Sequence, residues 1–220
     1  MISTDKFSDD KLDAIYETIF KRRDVRKFRP ADLPDEVLYR LIKAAHHAPS
    51  VGFMQPWNFL VVRDTDTRRR VKESFASANK AAFDMLEGER KDKYSKLKLE
   101  GIMESSLNIC FTCDPTRSGP FVLGRTTIPE TDVYSVCCAV ENFWLAARAE
   151  GLGAGWVSIL DNEKLKEILE IPAHVVPVAY LCVGVPEEFY AEPELQTAGW
   201  RERLPMEDLI YHEKWGRSGG

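Results

Sequence analysis

The chain has 220 residues and no apolar run approaching the ~20 residues that span a bilayer. Its first residues, MISTDKFSDDKL, are too acidic and polar for a secretory signal, so a cytoplasmic protein with no membrane partner is expected. Surplus positive charge is also lacking. The formal net charge is −5, which argues against nucleic acid or an anionic lipid surface as the partner of the whole chain. Cysteine is sparse: the five residues are odd in number, in a chain long enough not to need disulfide staples. Two of them form a C-x-x-C, Cys110 and Cys113. They fall in a stretch that reads as a buried strand, where an odd spacing sends the thiols to opposite faces. No second knuckle accompanies them, because Cys137 and Cys138 are adjacent, so inert core thiols are expected. His46 and His47 lack an acid or cysteine at ligand spacing, and no metal site is expected. Internal repeats, low-complexity tracts and linkers are absent as well, so 1–220 reads as a single domain.

What is present is an irregular alternation of long helices and few strands, an α+β pattern. Ser8–Arg23 reads as an amphipathic helix with Leu12, Ile15, Tyr16, Ile19 and Phe20 on one stripe. A second helix is expected from Pro34 to His47, then the irregular loop SVGFMQPW and a strand over Asn58–Arg63. A polar helical region follows from Thr67 to Gly88. Its continuation to Gly101 includes GERKDKYSKLK, which buries little and is expected to be mobile or ordered only over a ligand. Beyond the strand Leu107–Cys113 and a long loop, Asp132–Glu150 is expected to form a helix capped by Thr131. It is apolar nearly all round, hence central or at a subunit interface. Strands are expected over Trp156–Leu160 and Val175–Val185, with a helix Asn162–Leu169 between them. The polar, aromatic-dotted tail from Pro186 cannot bury itself and should wrap over the body or a partner subunit.

Three stretches carry possible chemistry. KRRDVRKFR, Lys21–Arg29, places six cations around one acid, Asp24. In an acidic chain this points to a small anionic ligand, or else to a solvated helix end whose cations complement the macrodipole. GLGAGW, Gly151–Trp156, follows a helix and precedes a strand, the reverse of a dinucleotide loop. It reads as a helix C-cap, with glycines that would let backbone come close to a flat ligand. In WRERLP, Arg201 and Arg203 form a second cationic pair that could share one phosphate with the first, or could be a solvated pair beside Glu202.

The ordered set RRDVR, APSVGFMQPWNFLVV, AEGLGAGWVS and WRERLP resembles the FMN-binding nitroreductase superfamily over nearly the whole chain. Within it, APSVGFMQPWNF, KLKLEGI, TCDPTRSGP, LGRT, AARAEGLGAGWVSI and EPELQTAGWRERLP are similar to the 5,6-dimethylbenzimidazole synthases. The resemblance implies a nitroreductase-like α+β fold, with a central, mostly antiparallel sheet flanked by helices. It also implies an intertwined homodimer whose C-terminal tail crosses to the partner, with FMN in a cleft at the interface. By the same resemblance Arg22 and Arg23, with Arg201 and Arg203, would hold the FMN phosphate, and Arg26 would lie near the flavin N1 and C2 carbonyl. Val25, Ser50 and Gly155 complete the implied FMN-binding set, with Asp24 and Ser158. The implied reaction consumes reduced FMN as substrate and dioxygen as co-substrate. Its products are 5,6-dimethylbenzimidazole, the lower ligand of vitamin B12, and erythrose 4-phosphate. A separate flavin reductase would supply the reduced form.

Two departures from ordinary nitroreductases point toward the synthases. Asp24 stands where nitroreductases usually carry a small hydroxyl residue, and Phe53 where many have a polar one. A carboxylate among arginines should stay ionised and could accept a proton in the late fragmentation steps. Phe53 and Met54 would dry the pocket, and Gly88–Gly101 could close over it. Ser158 would orient an intermediate through its hydroxyl, or be an inward hydroxyl bonded to backbone. Two alternatives stay open here: an NAD(P)H-dependent nitroreductase or flavin reductase that retains its FMN, and a flavin-binding protein without catalysis.

Overall fold

The structure, a computed structural model, describes residues 5–217. Four strands, β1 (Trp57–Val62), β2 (Leu107–Cys113), β3 (Gly153–Trp156) and β4 (Val176–Gly184), form one sheet. All pairings are antiparallel, in the order β1-β2-β4-β3. Every residue of β2 is buried, as a central strand covered on both faces requires. Among the described residues, seven α-helices surround the sheet: α1 (Asp9–Lys21), α2 (Asp35–His46), α3 (Thr65–Asp84), α4 (Gly88–Ser95), α5 (Thr131–Ala149), α6 (Asn162–Leu169) and α7 (Glu194–Thr197).

Side-chain alternation along β2 divides the core in two. Leu107, Ile109, Phe111 and Cys113 face α2 and α5, while Cys110 faces α3 and α6. On the first face, Phe59, Phe111 and Phe143 pack edge to face with centroids 5.3 and 5.4 Å apart. Cys110 and Cys113 therefore lie on opposite sides of the sheet as free thiols, and burial pushes both up to about 12.

Two expectations need correction. The third strand is Gly153–Trp156, not Trp156–Leu160. Glycine is a poor strand residue, but here it admits another backbone, because a Cβ on Gly155 would lie 2.0 Å from the Val25 carbonyl oxygen. The close approach belongs to the chain's own segment, and the parallel bridge Asp24–Ala154 records it. Secondly, α1 buries none of its residues. Its apolar stripe exists but faces outward, with Phe20 69 % exposed. Gly88–Ser95 forms α4 and buries none of its residues, as the polar composition of this stretch anticipates. Tyr94 donates to Asn79 Oδ1 at 2.6 Å and packs between Phe83 and Trp200, and Ile102, just beyond Gly101, is fully buried.

The tail divides at Trp200. Residues 186–200 run along the body, where Phe28 bridges to Pro186 and Arg29 donates to the Glu187 carbonyl at 2.7 Å. Every residue from 201 to 217 is exposed, Trp215 at 90 %. No helix among the described residues is long and apolar enough to cross a membrane, and they contain no metal-ligating cluster.

Candidate functional site

At Arg22 the backbone leaves α1 for an extended conformation and runs beside β3, where Val25 N–H donates to Ala154 O at 3.0 Å. Gly153 and Gly155 make this arm possible. A Cβ on Gly153 would fall within 2.8 Å of the Val25 side chain. Val25 is consequently core, while the charged residues on either side of it are only partly buried.

Each cation of the arm has a different setting. The Arg22 guanidinium lies 4.7 Å from the Trp144 ring centroid and 3.5 Å from Glu141. Arg23 ties the arm down: its Nη1 donates to the carbonyls of Phe20 and Arg22 at 2.7 Å, and its Nη2 donates to Ala191 O in the tail. Arg26 stands between two carboxylates, donating through Nη2 to Asp24 Oδ2 and through Nη1 to Glu194 Oε2 at 3.3 Å. The Nε atoms of Arg23 and Arg26 are buried without a partner.

Asp24 is gripped from two directions. Its Oδ1 accepts from the Trp156 amide at 2.8 Å and its Oδ2 from Arg26. Its side chain nevertheless stays 33 % exposed. Burial is the largest influence and raises its pKa above the ordinary 3.8, against the opposing pull of Arg26, the Trp156 amide and Arg22. Glu194 adds to the upward push.

Ser158 lies two residues beyond the amide that holds Asp24. It is exposed, and its hydroxyl has no hydrogen-bond partner among the described residues, so it is not an inward strand hydroxyl. With Trp156, Val157 and Tyr180 it lines a cavity of about 260 Å³. Ser50 is in a separate loop and accepts from Gln55 N–H at 3.1 Å. In that loop Phe53 and Gln55 both adopt left-handed backbone, at φ 52 and 47. Phe53 points out, whereas Met54 is core rather than a cover for the site. Arg201 and Arg203 are exposed, and neither side chain has a bond or ion pair with another described residue. The single chain thus gathers Arg22, Arg23, Asp24, Val25, Arg26, Gly155 and the segment bearing Ser158. It leaves Ser50, Arg201 and Arg203 without a contact to them.

Sequence reasoning missed Glu194 and Trp144. EPELQTAGW marks the first as part of a shared phrase, but Glu194 lies 168 residues from the arginine it meets, and no spacing rule reaches that far.

A model of the nitroreductase family matches residues 19–185. The 5,6-dimethylbenzimidazole synthase of Rhodospirillum rubrum is 44 % identical, over 89 % of this chain and 92 % of that protein. A protein of the same name from Rhodobacter capsulatus is 39 % identical, over 91 % of this chain and 97 % of its own length. Among solved structures, oxidised iodotyrosine deiodinase bound to FMN and 3-iodo-L-tyrosine aligns at TM-score 0.71 with 22 % identity, covering 91 % of this chain and 98 % of that one.

Proposed function

The chain belongs to the nitroreductase family, and we propose that within it the protein is a 5,6-dimethylbenzimidazole synthase, acting on reduced FMN and dioxygen. The observation that carries this reading is the setting of Asp24. It is a partly accessible carboxylate fixed by an amide and a guanidinium, with its proton affinity raised by burial. A carboxylate so held is a stronger base than a free one and is aimed in one direction.

The residues fit a phosphorylated, anionic ring system. Arg22, Arg23 and Arg26 concentrate positive charge on one short arm, and two of them keep a buried Nε–H with no acceptor. Arg201 and Arg203 are two further cations whose side chains have no partner among the described residues. Reduced FMN, when bound, supplies the ring that dioxygen oxidises and that is broken down to the benzimidazole and erythrose 4-phosphate. Arg22 and Arg23, with Arg201 and Arg203, bind the phosphate through forked donors. Arg26 offsets negative charge at the pyrimidine edge of the ring. Val25, Ser50 and Gly155 shape the remaining contacts. Asp24 takes up a proton in the fragmentation, and the free hydroxyl of Ser158 orients the reacting groups.

The site is completed by a second copy of the chain. The outward stripe of α1 and the exposed apolar residues of 201–217 support a homodimer in which the tail crosses to the partner. A separate flavin reductase delivers reduced FMN, and the reaction is placed in the cytoplasm.

Incubation with FMN, a flavin reductase, NADH and air tests the reading. Net loss of flavin with formation of 5,6-dimethylbenzimidazole is expected. Flavin recycled without loss, with efficient direct NADH oxidation, would indicate a conventional reductase; stoichiometric binding without turnover would indicate a flavin carrier. Asp24→Asn should retain FMN binding and lower product formation by about 10²–10⁴-fold, the usual contribution of a positioned base. Product at the parental rate would remove Asp24 from the mechanism.

A further inference from the structure

We propose that Glu194 is a positioning residue that stands in for the ligand's negative charge at Arg26, and so limits how strongly the site favours an anionic ring over a neutral one. The inference rests on the FMN reading above. Arg26 is nearly enclosed, its side chain 11 % exposed, and it carries two carboxylates. The two are held unequally. Asp24 has a second anchor in the Trp156 amide at 2.8 Å, and if it left, that amide would lose its acceptor. Among the described residues the Glu194 carboxylate makes one hydrogen bond, the 3.3 Å contact with Arg26 Nη1, and Lys27 attracts it only at longer range. It projects from the four-residue helix α7, on a tail segment joined to the body through a few contacts such as Arg23 to Ala191 O. Glu194 is therefore the partner that can be exchanged.

With both carboxylates in place, the three groups sum to one negative charge. A ring bearing negative charge at its edge must compete with Glu194 for Nη1, and a neutral ring gains less from doing so. Removing the Glu194 charge leaves Arg26 balanced by Asp24 alone. That change favours the anionic, reduced form of the ligand over the oxidised form.

The test compares affinities of the full-length protein for oxidised and reduced FMN, without oxygen and without turnover. In Glu194→Gln the preference for reduced over oxidised FMN should rise about tenfold. For a two-electron couple that is a shift of about 30 mV to more positive potential in the bound flavin. Glu192→Gln removes the same charge two residues away, where the carboxylate meets Gln196 at 3.5 Å rather than Arg26. It should leave the preference unchanged. An unchanged or reduced preference in Glu194→Gln overturns the proposal, as does an equal shift in Glu192→Gln. Glu194→Ala should move the preference in the same direction as Gln; failure of both variants to fold would make Glu194 a strut and also overturn it. Read beside the turnover assay on wild-type protein, the outcomes separate. Wild-type protein that binds FMN but never cleaves it defeats the synthase reading alone. Wild-type protein that makes the benzimidazole while Glu194→Gln leaves the preference unmoved defeats Glu194 alone. No FMN binding defeats both.

Discussion

The arm at 22–28 and the tail at 201–217 both carry arginines proposed to hold the ligand and neither is a regular helix or strand along its length, yet they meet opposite fates. The arm is built into the body. Val25 and Phe28 are buried, and backbone bridges join Asp24 to Ala154 and Phe28 to Pro186. The tail buries nothing and leaves Leu204, Met206, Leu209 and Trp215 in solvent. The difference shows what positioning a cation requires. Guanidinium groups gain precision from the backbone beneath them, and the arm obtains that backbone from the two glycines of β3. The tail has no such bed within its own chain, and in the proposed dimer the partner provides it.

Deleting residues 201–220 is the harshest test of this contrast. It should remove the two arginines proposed to bind the phosphate, at about 1.5–3 kcal/mol each, lowering FMN affinity by about 10²-fold or more, and it should weaken the dimer. Titration of FMN fluorescence together with sedimentation would read both effects. A dimer with undiminished affinity would mean that the tail serves neither purpose. A smaller effect is expected at the arm's bed. Gly155→Ala puts a methyl group against the Val25 carbonyl, and overpacking of this kind costs about 1–3 kcal/mol. Denaturant unfolding measures the loss, and FMN binding should fall with it because Asp24 and Arg26 move with Val25. Smaller again is the expected effect of Tyr16→Ser with Phe20→Ser on the outward stripe of α1. Surface changes of this kind leave monomer stability within about 0.5 kcal/mol. The dissociation constant of the dimer, by sedimentation, should nevertheless increase.

The mildest perturbation is pH. Because burial raises the Asp24 pKa, the folded protein holds that proton more tightly than the unfolded chain does. Stability from this group is thus fully present below 3.8 and is lost as pH rises through the higher folded value. Product formation runs the other way, since only the ionised carboxylate accepts a proton. Its acid limb should lie above 3.8 and vanish from the residual activity of Asp24→Asn. An acid limb unchanged in that variant would assign it to a different group.

The parts of the fold legible from sequence are those whose signal is local. Leu107–Cys113 and Asn162–Leu169 were readable to the residue, the first from an apolar run interrupted only by Asn108 and Thr112 and the second from its Asp161 cap, which accepts from Glu163 N–H at 3.0 Å. The two faces of β2 followed from period-two alternation. β3 was displaced because its glycines answer to a segment more than a hundred residues earlier, and local propensity cannot register that. The contact of Tyr94 with Trp200 was not legible, because its partner lies more than a hundred residues further along the chain. At the site, RRDVR was visible as a charge cluster. That Arg23 ties the tail down while Arg26 is shared between acids depends on Ala191 and Glu194, which only folding brings near.

Trp200 immediately precedes Arg201, and its ring rests on Tyr94 with Arg90 6.0 Å from its centroid, while Lys93 donates to Gly199 O at 3.2 Å. Helix α4 and the start of the segment that carries Arg201 and Arg203 are therefore joined through one indole. In the proposed site, any movement of α4 would shift the root of the tail as well, so that admission of the cargo and the hold of Arg201 upon it would be set together.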